Sequence, residues 1–277
     1  MKVGFVVTNY NNSNFSLSFI DSIMHADILL DYFIVIVDNC SNQSEYLSLL
    51  KQQQKTSNLK IIKSEINLGY FGGLNVGLDY IREFHQDINY VLIGNNDILI
   101  DKHFFRQLID NVSVFENYPV VSPFIVTLEG HFQNPHVVDK ISKFREFIYD
   151  LYYTNYNLSK VILFISKISK PFSDRKDEMN YQNESEIYQG HGSCYILGPL
   201  FINHFTKLFA PTFLMGEEFF LAYQLKQKNF NIYYTPKIKI THLGHASLNN
   251  VPRKEIWKIS KQSHKIYRKY LKIYNNL

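Results

Sequence analysis

The sequence predicts an α/β fold in which a mostly parallel sheet is flanked by helices. Four short runs of β-branched and aromatic residues each end in polar residues, as is typical of strands buried on both faces. Segments with helical composition lie between these runs, so strands and helices alternate along the first part of the chain. Ligands bind such sheets beyond the carboxyl ends of the strands, so we expect the polar strand ends to share one functional edge.

Four strands are predicted in the first part of the chain: KVGFVVTNY, YFIVIVDNCS, LKIIKSE and YVLIGNND. The helices predicted between them are FSLSFIDSIMHAD, EYLSLLKQQQK and GLNVGLDYIREFH. Asp97 ends the fourth strand and Asp38 the second; each carboxylate is a helix cap, a turn residue or a metal ligand. Two such strand ends beside a glycine-rich turn favour a ligand site.

The glycine-rich turn is NLGYFGGLNVG, which follows the third strand and opens a helix. Glycines such as Gly73 would let a phosphate or nucleotide approach the backbone closely. The spacing matches neither the dinucleotide fingerprint G-x-G-x-x-G nor a P-loop with its lysine. The turn alone therefore indicates that a ligand could approach the backbone closely, but it does not identify that ligand.

The alternation of predicted strands and helices becomes irregular between about Glu129 and Gln189. An aromatic, basic stretch there precedes a highly charged one. We predict one or two inserted helices followed by a mobile loop. Their apolar face either packs on the sheet or meets a lipid-linked substrate or the membrane interface. The tail from Arg253 forms a basic helix whose apolar residues have helical spacing, and packing on the body is favoured over membrane attachment.

Two motifs in the second half carry titratable side chains. GEEFFLA places Glu217 and Glu218 at the start of a helix, where they either complement the helix dipole or form a general base with a raised pKa. THLGHAS offers His242 and His245 after a strand, as structural residues or as ligands. No H-E-x-x-H pattern and no third zinc ligand lie nearby, which argues against a zinc hydrolase.

Composition limits the remaining possibilities. With 277 residues and 45% hydrophobic content the chain can bury one sizeable core, and no linker divides it. A net charge of +4 and the absence of a nucleic-acid motif argue against a nucleic-acid partner. Cys40 and Cys194 are expected as buried free thiols in a reducing cytoplasm. The first residues predict a strand rather than a signal peptide, and no window reaches the ~20 apolar residues of a membrane span.

In this order, the motifs resemble the family 2 glycosyltransferases of the GT-A fold, in particular the rhamnosyltransferase-like enzymes of bacterial surface polysaccharides. The resemblance covers about residues 1–125 and 190–248. It implies one catalytic domain over residues 1–277: a nucleotide-sugar-binding half (1–125), a helical and loop insertion (126–189), an acceptor-binding half (190–250) and a C-terminal amphipathic helix (251–277). The motifs that carry it are VVTNYNN, VDNCS, NLGYFGGLNVGL, GNND, GHGSCYIL, GEEFFLAYQL and YYTPKIKITHLGHAS.

The resemblance implies an inverting, metal-dependent hexosyl transfer from a UDP- or dTDP-sugar to a glycan or lipid-linked saccharide, in capsule, O-antigen or related synthesis. Glu218 would be the base, with Glu217 beside it, and Asp97 and His242 would hold Mn²⁺ or Mg²⁺. The residues implied to line the donor and sugar pocket are Thr8, Asp38, Asn67, Gly73, Asn75, Asn95, Asn96, Gly192 and Ser193. Such an enzyme would be cytoplasmic, with peripheral contact to the inner face of the membrane as one option.

Two departures from the family pattern leave alternatives open. The D-x-D motif reads Asn95-Asn96-Asp97, so one expected carboxylate is a neutral amide, and the E-D motif reads Glu-Glu. A weakly active or inactive nucleotide-sugar-binding scaffold is therefore the second hypothesis. A nucleotidyltransferase is the third, although no glycine-rich loop carries the Lys or Arg that a triphosphate requires. The sequence leaves the donor sugar, the acceptor and the oligomeric state open.

Overall fold

The computed structural model of the protein describes residues 1–173, 177–244 and 252–274. These residues form a nine-stranded sheet with helices on both faces, which confirms the predicted α/β class. The strands are β1 (Lys2–Asn9), β2 (Asp31–Asp38), β3 (Leu59–Lys63), β4 (Tyr90–Asn95), β5 (Ile98–Ile100), β6 (Val120–Thr127), β7 (Ser185–Ile187), β8 (Cys194–Leu197) and β9 (Ile232–His242).

The helices differ widely in length. The α-helices are α1 (Ser13–Met24), α2 (Gln43–Gln53), α3 (Tyr70–Phe84), α4 (Phe104–Asp110), α5 (Lys143–Tyr152), α6 (Tyr156–Ser173), α7 (Pro199–His204), α8 (Glu217–Lys226) and α9 (Arg253–Tyr274). Short 3-10 helices cover Val112–Glu116 and Asp177–Asn180. In the described part of the chain, no helix combines the length and apolar character that a membrane span requires.

The sheet has a parallel half and a mixed half. Its order is β3-β2-β1-β4-β8-β6-β9-β5, and β7 pairs with β9. The pairs among β3, β2, β1 and β4 are parallel, as predicted. Beyond β4 the strand β8 runs antiparallel, β9 is parallel to β6, and β5 is antiparallel to β9. The mixed half arises because the later strands return without a crossover helix for each one.

Register brings the polar strand ends together. Thr8 of β1 pairs with Asn95 of β4, and Asn9 of β1 pairs with Asp38 of β2. The carboxyl ends of three parallel strands therefore meet at one edge, as the alternating pattern predicts.

The sheet is buried on both faces, which explains the continuous apolar strands. In β1, Phe5 and Val7 contribute to the core beneath α1, α2 and α4, whereas Val6 contributes to the core beneath α3, α7 and α8. Side chains alternate between the faces of a strand, so a strand covered on both sides needs apolar residues at every position. Gly77 allows α3 to lie against this sheet, since a Cβ there would lie 2.3 Å from Val6 Cγ1.

The later helices attach α9 to the body of the protein. Ile266, Tyr267 and Tyr270 of α9 pack against Phe219 and Phe220 of α8. The tail therefore packs on the body, as favoured from its sequence.

Two details differ from expectation. Within the segment predicted as a mobile loop, the structure describes β7 and the 3-10 helix Asp177–Asn180. The prediction of two buried thiols is wrong for Cys40, which is exposed; Cys194 is buried, and both are free. Cys40 is exposed because it stands in a turn with positive φ (68°) rather than in β2.

Candidate active site

A cavity of about 430 Å³ opens at the carboxyl ends of β1 and β4. All but three of the predicted site residues line it. Those that do are Thr8, Asn67, Asn95, Asn96, Asp97, Gly192, Ser193, Glu217, Glu218 and His242. The cavity lies where the polar strand ends of a parallel sheet should bind a ligand.

Asp97 and His242 face each other in this cavity across a short gap. Asp97 Oδ1 lies 3.2 Å from His242 Nε2, and both side chains are buried. The pairing of β5 with β9 causes this approach, because Ile98 stands opposite His242 in the antiparallel register. The backbone N–H of Leu243 also donates to the carbonyl of Asp97 at 2.8 Å. A pair far apart in sequence is thus fixed by strand pairing.

Gln133 sets the orientation of the His242 ring. Its Oε1 lies 2.7 Å from His242 Nδ1, so the ring donates from Nδ1 and a neutral imidazole carries its lone pair on Nε2. That lone pair then points at the Asp97 carboxylate. Two acceptors that face each other in this way favour a cation between them, and a second partner on the far ring nitrogen is typical of metal-binding histidines.

The residues present fit a divalent cation that is held in part by a substrate. Across the described ranges, no three His, Cys, Asp or Glu side chains surround a common metal position. Mg²⁺ and related ions commonly take one or two protein carboxylates and complete their shell with phosphate oxygens and water. Asp97 and His242 are therefore sufficient to bind such an ion only if a diphosphate supplies its further ligands.

Glu217 and Glu218 begin α8 and also line the cavity. Glu217 is buried, and its Oε1 accepts a hydrogen bond of 3.0 Å from the Met215 backbone N–H. Burial, and secondarily the charge of Glu218, raises the pKa of Glu217 to about 8. Glu218 is partly exposed and reaches the cavity surface. The two carboxylates thus have different environments: one is held by the backbone, and the other is open to a ligand.

Gly192 makes room for the Glu218 carboxylate. A Cβ at Gly192 would lie 2.5 Å from Glu218 Oε1, closer than any side chain tolerates. The Tyr70 hydroxyl donates to the Gly192 carbonyl at 2.7 Å and so ties the start of α3 to this loop. Burial, and next the neighbouring acidic groups, raises the pKa of Tyr70 well above its usual value. Tyr70 therefore remains a protonated donor beside the two glutamates.

An amide network shapes the wall near the third strand. The Asn39 Nδ2 group donates to Asn67 Oδ1 at 3.0 Å and to the Gly69 carbonyl at 2.9 Å. Asn39 Oδ1 accepts from the Leu68 N–H at 2.8 Å. Gly69 has φ of +75°, and a Cβ there would collide with the carbonyl of Phe213. Glycine is therefore required at position 69 by the backbone conformation of the turn itself, whether or not a ligand binds there.

The three predicted residues outside the cavity lining support its walls. Asp38 is fully buried, and its carboxylate accepts hydrogen bonds from the Asn9 side chain (2.8 Å) and the Ser41 N–H (3.2 Å). Asn75 exchanges two hydrogen bonds with the backbone of Leu208. Gly73 lets α3 approach β1, since a Cβ would lie 2.7 Å from Thr8 Cγ2. The side chains of Asp38 and Asn75 are therefore already hydrogen-bonded within the protein.

Asn96 lines the cavity, but its amide points into the protein. Its Nδ2 lies within hydrogen-bonding distance of Asn9 Oδ1 (3.2 Å), Asn12 Oδ1 (2.9 Å) and Ser16 Oγ (2.8 Å). Asn96, at the middle position of the D-x-D motif, therefore bonds to the start of α1.

Sequence reasoning missed several lining residues: Tyr10, Asn39, Tyr70, His191, Leu214 and Met215. Asn39, Tyr70 and His191 lie inside or beside the quoted motifs, so the adjacent positions were the available signal. His191 is half-buried, and desolvation followed by the charges of His136 and His242 lowers its pKa to about 3. Its Nδ1 accepts from the Ser193 N–H at 3.3 Å. The predicted histidine His245 lies outside the described residues.

The family model of glycosyl transferase family 2 matches residues 5–170, more than half of the chain. Glu217, Glu218 and His242 lie beyond the matched residues. Among curated proteins, none matches the sequence significantly.

Solved structures show the same fold at low sequence identity. Staphylococcus aureus TarS is 13% identical with a TM-score of 0.56, over 87% of this chain and 36% of TarS. TarS 1-349 in complex with UDP is 15% identical with a TM-score of 0.51, over 85% and 60%. GalNAc-T7 with UDP, GalNAc and Mn²⁺ is 10% identical with a TM-score of 0.56, over 87% and 44%. The present chain thus spans less than two thirds of each of these proteins.

Proposed function

We propose that the chain, which belongs to glycosyl transferase family 2, moves a sugar from a nucleotide diphosphate sugar to an acceptor hydroxyl. The observation that carries the proposal is the facing pair Asp97 and His242 in one cavity with Glu218. UDP is bound in structures of the same fold. We infer a UDP- or dTDP-sugar as the donor and a glycan or lipid-linked saccharide as the acceptor.

The donor would lie along the strand ends. Thr8, Asn67 and Asn95 present hydroxyl and amide groups for the base, the ribose or the sugar, in keeping with polar groups that orient a ligand in a preformed pocket. Asp97 and His242 would hold Mn²⁺ or Mg²⁺ against the diphosphate. Such an ion supplies Lewis acidity that stabilises the charge of the leaving diphosphate. The GalNAc-T7 structure, which contains Mn²⁺ with UDP, supports this cofactor.

Glu218 is the proposed base. Its carboxylate lies against Gly192 at the surface of the cavity, where it can accept the proton of an attacking hydroxyl. Glu217 is held by the Met215 N–H and has a raised pKa, so it positions the start of α8 and limits the negative charge beside Glu218. Attack opposite the diphosphate would invert the anomeric carbon, as the resemblance to inverting enzymes implies.

A turnover assay of paired variants tests this assignment. We expect Glu218→Gln to lower sugar transfer by roughly 10²–10⁴-fold while UDP binding is retained, because a positioned base contributes about that factor. Glu217→Gln should retain more activity, since the amide still accepts the Met215 hydrogen bond. Transfer by Glu218→Gln at the wild-type rate would refute the base assignment. Donor binding with no turnover by wild type over a panel of saccharide acceptors would favour the scaffold hypothesis instead.

We also propose that α5 and α6 contact an anionic membrane surface, as a capsule or O-antigen enzyme with a lipid-linked acceptor would. These helices expose large apolar side chains: Phe144, Phe147, Val161, Phe164 and Ile165. Exposed Lys143 and Lys160 stand in the same helices and complement anionic headgroups. Exposed apolar residues grouped in this way mark an interaction surface.

Vesicle flotation tests the membrane contact. Vesicles that contain anionic phosphatidylglycerol should carry the wild type, and pure phosphatidylcholine vesicles should carry less, because basic segments are attracted to anionic lipid. The double variant Val161→Ser, Phe164→Ser should stay in solution, whereas Leu128→Ser, which alters an exposed leucine of another segment, should float as wild type does. Equal flotation of both variants would refute this surface.

A further inference from the structure

His191 lies in the cavity wall, in contact with two other histidine rings. Its ring centroid lies 5.7 Å from that of His242 and 5.5 Å from that of His136. His191 and His242 line the cavity, whereas His136 does not. Because His242 faces Asp97, His191 lies directly beside the pair proposed to hold the metal.

The segment between β6 and α5 fixes the backbone of His191. The His191 N–H donates to Asn134 Oδ1 at 2.8 Å. Asn134 is fully buried, and its Nδ2 lies 2.8 Å from both Ser122 Oγ and the Pro123 carbonyl, to which it donates. The position of His191 is therefore set by a buried amide whose hydrogen-bonding groups are all used within the protein.

Contacts with Ser193 determine which nitrogen of the His191 ring carries the proton. The Ser193 backbone N–H donates to His191 Nδ1 at 3.3 Å, and Ser193 Oγ lies 2.9 Å from the same atom. A backbone N–H can only donate, so Nδ1 holds a lone pair and the neutral ring carries its proton on Nε2. Nε2 makes no hydrogen bond to any described residue and is not among the fully buried side-chain atoms that lack a partner. A ligand in the cavity can therefore reach this N–H.

The charges in the cavity wall favour a neutral donor for an anionic ligand. Among the described lining residues no Lys or Arg occurs, whereas the carboxylates of Asp97, Glu217 and Glu218 do. A diphosphate is negatively charged and its oxygens accept hydrogen bonds, so in this cavity it depends on a metal ion and on N–H or O–H donors. Hydrogen bonds to a charged acceptor are about twice as strong as neutral ones.

We propose that His191 is a further donor-binding residue, whose Nε2–H donates a hydrogen bond to a phosphate oxygen of the nucleotide diphosphate. The contact of its ring with His242 places that N–H next to the proposed metal site. The Ser193 N–H keeps the ring in the tautomer that donates, so the contact requires no change of protonation. This inference rests on the proposed function, because it requires a nucleotide diphosphate in the cavity.

Calorimetric titration of UDP and uridine into wild type and three variants tests this contact, with Mn²⁺ and with EDTA. If wild type prefers dTDP, then dTDP and thymidine replace these probes. His191→Phe keeps a ring and removes both nitrogens, and His191→Gln places an amide N–H near the position of Nε2. His136→Phe is the matched control, because His136 is exposed, contacts the same ring and does not line the cavity. Thermal unfolding verifies that each variant folds.

We expect His191→Phe to bind UDP about 10–100-fold more weakly than wild type, because a hydrogen bond to a charged group contributes about that factor. The loss should be of the same size with Mn²⁺ and with EDTA, since the contact does not pass through the metal. Uridine, which has no phosphate, should bind His191→Phe and wild type equally. His191→Gln should recover part of the loss, and His136→Phe should bind UDP as wild type does.

UDP binding that His191→Phe leaves unchanged would overturn this inference and leave the proposed function intact. An equal loss for uridine would also overturn it, because His191 would then shape the cavity as a whole. A loss seen only with Mn²⁺ would overturn the direct contact and show that His191 acts through His242. A wild type that binds neither nucleotide would overturn the proposed function and this inference together.

Nitrogen-15 NMR of the His191 ring gives a readout that does not depend on affinity. The ring signals are assigned by their absence in His191→Gln. We expect a protonated Nε2 and an unprotonated Nδ1 in the free protein, and a shift of the Nε2–H signal when UDP, but not uridine, is added. A proton on Nδ1, or an Nε2–H signal that saturating UDP leaves unchanged, would overturn the inference.

Discussion

Glu217 and Glu218 are adjacent residues of one type, yet the fold gives them different environments. Glu217 is buried at the first turn of α8 and accepts a hydrogen bond from the Met215 N–H, whereas Glu218 is partly exposed and lines the cavity. Burial penalises a charge, and the charge of Glu218 adds to that penalty, so the pKa of Glu217 rises to about 8. The sequence cannot separate the two roles, because both depend on which side chain the helix turns inward.

The raised pKa predicts how stability depends on pH. An unfolded chain releases the Glu217 proton near its ordinary pKa of 4.5, while the folded protein keeps it until about pH 8. The folded state therefore binds more protons between these values, and its contribution to stability, full below pH 4.5, is lost as pH rises towards 8. Glu217→Gln should remove this loss, by at most about 1.4 kcal/mol per pH unit.

Urea unfolding of wild type and Glu217→Gln at pH 5 and pH 8 measures the effect. The variant should gain stability relative to wild type at the higher pH. Glu255→Gln, which changes an exposed glutamate of α9, serves as the control and should show no such change. A difference between wild type and Glu217→Gln that is the same at both pH values would contradict the raised pKa.

Gly192→Ala tests the close approach of the loop to Glu218. The added methyl would lie 2.5 Å from Glu218 Oε1 and must displace the carboxylate. Because a misplacement of about 1 Å can cost roughly 100-fold in rate, we expect kcat for transfer to fall by about 10–100-fold. Gly130→Ala is the control, since nothing lies within 4 Å of a Cβ there, although its φ of +81° adds local strain. Unchanged kcat in Gly192→Ala would show that Glu218 is not constrained in this way.

At the scale of elements, strand pairing assembles the site. Asp97 was identified as a strand end and His242 as the residue after a strand, but their approach depends on β5 and β9 running antiparallel with Ile98 opposite His242. That register is set by pairing between strands far apart in sequence, so local sequence patterns do not predict it. The same holds for Gln133, which lies in a loop with no motif and yet orients the His242 ring.

The contact between α5 and α9 was also beyond sequence patterns, although both helices were predicted. Buried Glu146 accepts from Arg268 at 3.1 Å and from the Tyr267 hydroxyl. We expect Glu146→Gln to lower the free energy of unfolding by about 1–3 kcal/mol, because hydrogen bonds to a charged group contribute about that much. Glu255→Gln should change it by no more than about 0.5 kcal/mol, since its pair with Lys258 is exposed.

Denaturant unfolding compares these two variants with wild type. Equal stabilities for all three proteins would contradict a structural role for the α5–α9 contact.

At the scale of the whole molecule, the sheet separates into a parallel half and a mixed half, and the cavity of the proposed active site opens at the boundary between β4 and β8. The alternating apolar runs predicted the parallel half correctly, because strands covered on both faces leave a clear pattern. The mixed half depends on packing between segments far apart in sequence, so local patterns do not predict it.

Calorimetric titration of UDP and dTDP into wild type and Asp97→Asn, with and without Mn²⁺, tests most directly whether Asp97 and His242 hold a metal against the donor diphosphate. We expect Mn²⁺ to strengthen binding of one nucleotide to wild type by about 10-fold or more. Asp97→Asn should lose that gain while it keeps metal-independent binding through the rest of the cavity. Nucleotide binding that neither Mn²⁺ nor Asp97→Asn alters, or no binding of either nucleotide, would refute the proposed donor and metal site.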